Sequence, residues 1–383
     1  MNILHVTPTY YPATYWGGPI FSVYGLNNAL ARLPGLNLKV LTTDSAGPGM
    51  EDRLDVQTLE HGLFPHQEVI FTRRIADASV SLELLHKLPT LIRWADVVHL
   101  TATYSFPTIP TMMLCRLYDK PLVWSPRGAI LEAFEWAGAP RKRLKLIWEW
   151  CCNKLIRHGQ VIAHVTSESE RQAVESRIPK AKAVIVPNGV DVPDTPSGKD
   201  WLPNGRLRLL FLGRISPKKG IENLLRAVRD LDDPDITLAI YGTGPKEYEA
   251  TVIRLADELG FREGVVTFAG HVNGEAKRQA FLSSDVCVVP SFSENFCIVV
   301  AEALAHGVPV IASHGTPWNR VEENGCGLWV GNSPESLMQA ISQIRAMPLA
   351  EMGRRGRAWM AEEYSWNTTA NTLLYNCYKA LLQ

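Results

Sequence analysis

The chain has no surplus of charge of either sign. Across 383 residues, 39 Lys and Arg stand against 39 Asp and Glu. This balance argues against a nucleic-acid binder that works by bulk positive charge, and leaves room only for a local basic patch. The cysteine spacings of a metal or disulfide scaffold are also missing. Cys115, Cys151, Cys152, Cys287, Cys297, Cys326 and Cys377 are odd in number and contain no Cys-x-x-Cys pair. Neither a disulfide framework nor a zinc site is indicated, and reduced cytosolic thiols are expected. No long apolar run is present. The uncharged stretch from Val97 to Leu114 holds His99, several Thr and Ser, Pro107 and Pro110, which excludes a spanning helix there. Met1 to Val6 reads as a strand with no cationic segment ahead of an apolar run, so no secretory signal is expected. Gly242-Thr243-Gly244 lacks the third glycine of a dinucleotide fingerprint, and no GxxxxGK[ST] occurs. No nicotinamide, flavin or other cofactor is expected, and the chain is not a P-loop protein.

What is there is an ordinary globular composition, 46% hydrophobic and 20% charged. At about 150 residues per domain the length suggests two or three domains. Short apolar runs alternate with helical patterns. Asn2–Val6, Leu38–Leu41, Val97–Leu100, Leu122–Trp124, Val161–Thr166 and Val184–Val186 read as strands, and Phe21 to Leu33 carries apolar residues at helical spacing. The pattern pauses from Pro187 to Gly205, a Pro/Gly-rich linker. A second series follows, with strands at Leu207–Leu212, Ile236–Tyr241, Val265–Phe268, Val286–Val289 and Pro309–Ala312. Its helices are expected near Glu222–Leu231, Tyr248–Leu259 and Asn295–His306. Strands separated by helices imply βαβ units and parallel sheets. The expected architecture is therefore α/β, with two Rossmann-like, doubly wound domains facing each other across a cleft that is the default ligand site.

Three stretches carry chemistry. Gly213 to Gly220 lies between a strand and a helix and holds Arg214 and Lys219, two cations at the mouth of a sheet where a diphosphate would fit. A solvated basic loop fits the same residues. Glu294 and Glu302 stand eight positions apart around an expected helix start. Eight helical residues rise about 12 Å, near the reach from a ribose to a sugar across a diphosphate. Glu302 sits among Val299, Val300, Ala301, Ala303 and Leu304, where a carboxylate needs a specific partner. Tyr15-Trp16-Gly17-Gly18-Pro19 lets backbone approach a ligand closely, or forms a simple tight turn.

These stretches, in order and with their spacing, resemble a retaining glycosyltransferase of family 4 with the GT-B fold. The resemblance rests on Gly17-Gly18, Pro187-Asn188-Gly189-Val190-Asp191, Gly213-Arg214 with Lys219-Gly220, Tyr241 to Pro245, and Ser293-Glu294 to Glu302 through Val310. It runs from Ile3 to Trp366. Ser125-Pro126-Arg127-Gly128 and Gly315-Thr316-Pro317-Trp318 are similar to enzymes that build bacterial surface polysaccharides and lipopolysaccharide. The resemblance implies a metal-independent transferase that takes a UDP- or GDP-linked sugar to a saccharide or lipid-linked saccharide acceptor. Arg214 and Lys219 would hold the diphosphate, assisted by Gly17 and the Gly18 amide, and Glu302 the ribose. Glu294, with Asn295 and the amides of Phe296 and Cys297, would hold the sugar. Gly242, His271 and Val272 would line the donor site, the last two at the base. Arg214, Lys219 and Glu294 would be the catalytic set.

The domains implied are an acceptor-binding half at residues 1–190, a linker at 191–204 and a donor-binding half at 205–366, with a final helix at 367–383 returning to the first half. Arg127 stands where many relatives carry His near the sugar. It is counted as a donor contact, with pairing to Glu132 or Glu135 as the alternative. His99 reads as a satisfied structural histidine. Asp230-Leu-Asp232 has the form of a metal motif but lies in an acidic turn. Leu131 to His158 interleaves Trp136, Trp148 and Trp150 with Arg141, Lys142, Arg143 and Lys145, as on a helix lying against an anionic membrane. An ordinary helix packed by its Trp face is the alternative. The expected location is the cytoplasm, peripheral on the inner face of the membrane. A sugar-nucleotide 2-epimerase and a non-catalytic partner subunit remain as rival readings.

Overall fold

The structure is a computed structural model, and it describes all residues except 48, 57–63, 65, 78, 132–141, 194–198, 200 and 202–205. The chain forms two compact units, Met1–Gly189 with Trp366–Gln383, and Val190–Ser365. Much of the Pro/Gly-rich linker at 191–204 lies outside the described residues.

The first unit is built on seven parallel strands in the order β3-β2-β1-β4-β5-β6-β7. They are β1 Asn2–Val6, β2 Asn37–Thr43, β3 Gln67–Thr72, β4 Val97–Thr101, β5 Leu122–Ser125, β6 Val161–Val165 and β7 Lys182–Ile185. The side-chain period of two sorts each strand between two cores. Ile3, Val97, Val123 and Ile162 face helix α1 (Gly18–Ala31) and the C-terminal segment. Leu4, Val98, Trp124 and Ala163 face the other side, against α2 (Leu82–Trp94) and α3 (Thr108–Leu117). Two more helices, α4 (Lys142–Leu155) and α5 (Glu168–Arg177), connect the later strands.

The second unit has six parallel strands in the order β10-β9-β8-β11-β12-β13. They are β8 Leu207–Leu212, β9 Ile236–Tyr241, β10 Val266–Gly270, β11 Val286–Val289, β12 Val310–Ser313 and β13 Gly327–Val330. The connecting helices are α6 (Ile221–Leu231), α7 (Lys246–Glu258), α8 (Gly274–Leu282), α9 (Ile298–Ala305), α10 (Pro334–Arg345) and α11 (Leu349–Glu363). The central strands β11 and β12 are buried along their whole length, as expected of a parallel sheet covered on both faces. The chain then re-enters the first unit as α12 (Trp366–Leu373), a π-helical stretch at Leu374–Lys379 and a last turn.

In such sheets the strand order reverses at one point, and ligands bind beyond the carboxyl ends there. That point lies between β1 and β4 in the first unit and between β8 and β11 in the second.

Candidate functional site

The reversal point of the second sheet is where Arg214, Lys219 and Glu294 come together. After β8 the chain runs through Gly213 and Arg214 into a 3₁₀ turn at Pro217–Lys219, and α6 begins after Gly220. Gly220 is left-handed (φ 63°), and a Cβ there would stand 2.2 Å from the Pro290 carbonyl oxygen just past β11. Only glycine lets the two loops approach so closely. The Phe292 amide donates to the Lys218 carbonyl (2.9 Å), and the Glu294 amide to the Gly315 carbonyl (2.7 Å). Loops from β8, β11 and β12 are thereby stitched side by side.

Within this frame the Lys219 ammonium lies 2.5 Å from Glu294 Oε1, which also accepts from Ser291 Oγ at 2.8 Å. Burial works against the Lys219 charge, but the carboxylate of Glu294 and the Cys297 sulfur outweigh it, while Arg214 opposes. The net effect is a Lys219 proton held more tightly than usual, with Arg214 near enough to be felt. Arg214 itself is exposed.

The helix expected from Asn295 begins at Ile298 instead. Cys297 is held left-handed (φ 61°), which ends the preceding loop and places Asn295 and Phe296 ahead of the helix. Phe296 and Cys297 are buried. The Phe296 ring packs on Trp318, and its carbonyl accepts from the Trp318 indole at 2.5 Å. Their side chains serve the core, so only main-chain groups could meet a ligand. Glu302 lies inside α9, and its Oε1 accepts from Lys277 at 2.6 Å, while Oε2 is buried with no partner. Lys277 on α8 was missed by the sequence reading. The need for a partner was legible in the apolar surroundings of Glu302, but nothing in the sequence pointed to α8. Burial and the Glu302 charge push the nearby Cys287 thiol up to about 12.

Two further strand ends meet the same edge. The Gly242 amide donates to the Gly270 carbonyl (2.8 Å), bringing the end of β10 beside that of β9. His271, exposed, and Val272, half-buried, follow directly. Asp232, in the acidic turn, is left-handed at the end of α6 and pairs with Arg229 and Arg262 at 3.4 Å each, while Asp233 pairs with Arg345. These are the contacts of a surface turn.

Gly17, Gly18 and Arg127 belong to the first unit. Gly17 (φ 70°) caps α1, and Gly18 is that helix's first residue. Arg127 follows β5 in a left-handed conformation (φ 55°), which is strained for a side chain of this size. Its Nη1 donates to Asn188 Oδ1 at 2.5 Å, whereas Nε and Nη2 are buried and unpartnered. Glu132 and Glu135, the alternative partners, lie outside the described residues. Burial lowers the Arg127 pKa to about 10, with Glu170 opposing. His99 is fully satisfied, as expected of a structural histidine, through Tyr378 (2.6 Å) and Ser125 (2.7 Å).

On α4, the expected membrane contact at Trp148 is corrected. Its indole turns inward and donates to the Thr103 carbonyl at 2.7 Å. The outward face carries Leu144, Ile147 and Trp150, each about 60% exposed, flanked by exposed Lys142 and Arg143. Lys145 lies over the Tyr104 ring. Arg141 and Trp136 lie outside the described residues. No helix among the described residues is long and apolar enough to cross a membrane.

Comparison with known proteins agrees with the fold. Residues 16–193 match the family described as Glycosyltransferase Family 4, and residues 198–359 match Glycosyl transferases group 1. The D-inositol 3-phosphate glycosyltransferase of Mycolicibacterium smegmatis is 32% identical over 232 residues, 57% of this chain and 52% of that protein. The chain spans about half the length of the curated relatives it matches. Among solved structures, sucrose-phosphate synthase from Thermosynechococcus elongatus superposes with a TM-score of 0.73 at 21% identity, covering 100% of this chain and 99% of that one. Anabaena Alr3699/HepE in complex with UDP and glucose gives 0.70 at 16% identity, covering 98% of each. Two parallel Rossmann-like sheets and both family matches place the chain among the family 4-like, group 1 glycosyltransferases of GT-B fold.

Proposed function

We propose that the chain transfers a sugar from a UDP- or GDP-linked donor to a saccharide or lipid-linked saccharide acceptor. The observation that carries this reading is the Lys219–Glu294–Ser291 cluster beside Arg214 at the reversal point of the second sheet. In the ligand-free chain Lys219 and Glu294 satisfy each other. A nucleoside diphosphate sugar exchanges those partners. Its phosphate oxygens take Lys219 and Arg214, and its sugar hydroxyls donate to the Glu294 carboxylate thus released. Asn295 and the amides of Phe296 and Cys297 extend the sugar contacts. Glu302 keeps one oxygen on Lys277 and offers the other, now unpartnered, to the ribose hydroxyls. Gly242, His271 and Val272 flank the nucleotide. In the first unit, Gly17, Gly18 and Arg127 are assigned to substrate contacts.

Charge accumulates on the diphosphate as the glycosidic bond breaks. Fixed cations that need no reorganisation stabilise that charge most. Lys219 and Arg214 are assigned that role, and with Glu294 they form the catalytic set. The reaction proceeds with retention, the acceptor hydroxyl attacking on the face the phosphate leaves. Ser125 to Gly128 and Gly315 to Trp318 favour a role in surface polysaccharide or lipopolysaccharide synthesis. The apolar, basic-flanked outer face of α4 favours peripheral contact with an anionic membrane, on its cytoplasmic face, where a lipid-linked acceptor is reached.

The test is nucleotide release from UDP-glucose and GDP-mannose, with and without saccharide acceptors, alongside calorimetry with UDP and GDP. Acceptor-dependent release supports transfer. A donor sugar altered with no acceptor present would identify an epimerase instead, and failure to bind any nucleotide would leave a non-catalytic subunit.

A further inference from the structure

Four buried side chains at the carboxyl ends of β1, β4, β5 and β6 share one face of the first sheet. They are His5, His99, Ser125 and His164, on the side covered by α1 and the C-terminal segment. The imidazoles of His5 and His99 stack in parallel at 4.2 Å. A sheet seldom spends this much core on polar groups, and every contact must be accounted for.

The hydrogen bonds can be oriented from one end. A backbone carbonyl only accepts, so His164 Nε2 carries its hydrogen and donates to the Val186 oxygen (2.9 Å). Burial and the Arg127 charge keep His164 neutral, with its pKa down at about 3. Its Nδ1 is therefore an acceptor, and Ser125 Oγ donates to it at 2.8 Å. The Ser125 oxygen is then free to accept from His99 Nε2–H at 2.7 Å. His99, buried and held neutral by the same environment, accepts at Nδ1 from the Tyr378 hydroxyl at 2.6 Å. The chain Tyr378, His99, Ser125, His164, Val186 has one direction throughout.

Two of its members matter here, Ser125 at its centre and Val186 at its end. Ser125 lies two residues before Arg127, and Val186 two residues before Asn188. Those are the partners in the 2.5 Å bond that fixes the guanidinium of Arg127, whose backbone is left-handed. The relay thus ties together the strand ends that carry both halves of this pair. It is closed from outside by Tyr378, 279 residues from His99 in sequence. The same C-terminal segment also abuts Asn188's neighbour, since a Cβ on Gly189 would stand 2.3 Å from the Trp366 ring.

We propose that Tyr378, acting through His99 and Ser125, is a positioning residue for the Arg127–Asn188 pair, so that the C-terminal segment sets the geometry of a guanidinium in the first unit. The functional half of this statement rests on Arg127 meeting substrate, as assigned above. Arg127 Nε–H and Nη2–H form the side-on edge of the guanidinium, the fork suited to two oxygens of a ligand, and both are buried without a protein partner.

The test uses the full chain labelled with ¹⁵N-histidine and ¹⁵N-arginine, and the variants Tyr378→Phe, Ser125→Ala and Arg127→Ala. In the wild type, His99 and His164 should appear as Nε2–H tautomers. In Tyr378→Phe the His99 nitrogens should shift and the Arg127 Nε–H should exchange with water several-fold faster. Ser125→Ala cuts the relay at its centre and should do the same, should Tyr378→Phe fail to fold. With UDP-glucose and GDP-mannose hydrolysis as the readout, Tyr378→Phe should lower turnover about tenfold, the weight of one well-placed hydrogen bond. In the Arg127→Ala background it should lower turnover no further. A His99 tautomer carrying its hydrogen on Nδ1, or Arg127 exchange unchanged in both relay variants, overturns the proposal. So does a Tyr378→Phe loss that adds fully to that of Arg127→Ala, which marks a merely structural role. If Arg127→Ala turns over at the wild-type rate, the substrate assignment of Arg127 falls, while the tautomer and exchange data still decide the relay.

Discussion

Three buried neutral histidines make the first unit sensitive to acid, and the size of the effect follows from their environment. Burial is the leading cause in each case. It lowers the pKa of His5 and His164 from 6.5 to about 3, and that of His99 well below its usual value, with Arg127 adding to the effect in all three. The unfolded chain takes up a proton at each near pH 6.5, whereas folded His5 and His164 take up none until near pH 3 and folded His99 stays neutral well below its usual range. The unfolded state therefore binds more protons across this window. Stability is complete above pH 6.5 and is lost progressively as the pH falls. Between pH 7 and 5 His5 and His164 each cost about 2 kcal/mol, or roughly 4 kcal/mol together, and His99 acts in the same direction. That approaches the whole stability of a typical domain, ~5–15 kcal/mol. Urea unfolding at pH 7, 6 and 5, followed by hydrogen exchange of peptides from β1, β4 and β6, reads the first unit alone. Peptides from β8 and β9 serve as an internal reference. The first unit's midpoint should fall by more than about 1 M urea over this range, taking a slope of roughly 3 kcal/mol/M for a domain of this size. Equal midpoint shifts in the two units would refute the reasoning, because they would mean that the stacked pair and His164 take up protons without unfolding.

Three further outcomes are expected. Lys219→Ala should lower kcat/KM for the nucleotide sugar about 10- to 150-fold, the loss of one charge-assisted bond of ~1.5–3 kcal/mol, with the fold intact by circular dichroism. Arg214→Ala should behave alike, and a wild-type rate in either removes the diphosphate assignment. Lys277→Ala leaves half-buried Glu302 without its cation, so thermal unfolding of the second unit should come several degrees earlier and Lys277→Ala/Glu302→Gln should recover most of the difference. If Lys277→Ala melts with the wild type, that pair is not a working contact. Replacing Leu144, Ile147 and Trp150 together by Ser should abolish co-sedimentation with phosphatidylglycerol vesicles, as should high salt in part, whereas unchanged partitioning would dismiss the outer face of α4 as a membrane contact.

Much of this architecture was legible because parallel strands covered on both faces write themselves as unbroken apolar runs. Ile236–Tyr241 and Val286–Val289 were read with the ends they have. The strands that escaped are edges. Gln67–Thr72 opens with Gln and Glu, and Gly327–Val330 is four residues long with a leading glycine, so neither carries the apolar signal of a central strand. The start of α9 was misplaced by three residues because a left-handed Cys297 has no sequence signature, unlike a glycine in the same role. In the site, Arg214, Lys219, Glu294 and Glu302 were visible as charges at strand ends or in apolar surroundings. Their partners Ser291, Lys277 and, for Arg127, Asn188 were not assigned. A hydrogen bond between residues 25 or 61 positions apart depends on how separate helices or loops meet, which local pattern does not encode. The histidine relay was invisible for the same reason, since His99, Ser125 and His164 become one system only when β4, β5 and β6 join one sheet.

The pairing of Lys219 with Glu294 also bears on selectivity. A ligand that offers only an oxyanion must take Lys219 away from the carboxylate, leaving Glu294 half-buried with Ser291 as its remaining partner. Leaving a charged acceptor short of a donor costs about 1–3 kcal/mol, which such a ligand cannot recover. A nucleotide sugar brings hydroxyl donors as well and satisfies both ends of the broken pair. On the proposed assignment, the free pair acts against nucleoside diphosphate alone, and so against product, as discrimination built from an unpaired group rather than from an added contact. Glu294→Gln removes the charge but keeps the shape. Lys219 then has no counter-ion to leave, so UDP or GDP should bind about tenfold more tightly than to the wild type, while the intact sugar donor gains less or loses affinity. Calorimetric titration of both ligands into both proteins measures the ratio directly. Should Glu294→Gln weaken nucleoside diphosphate and sugar donor by the same factor, Glu294 is only a structural clamp on Lys219, and the exchange of partners does not occur.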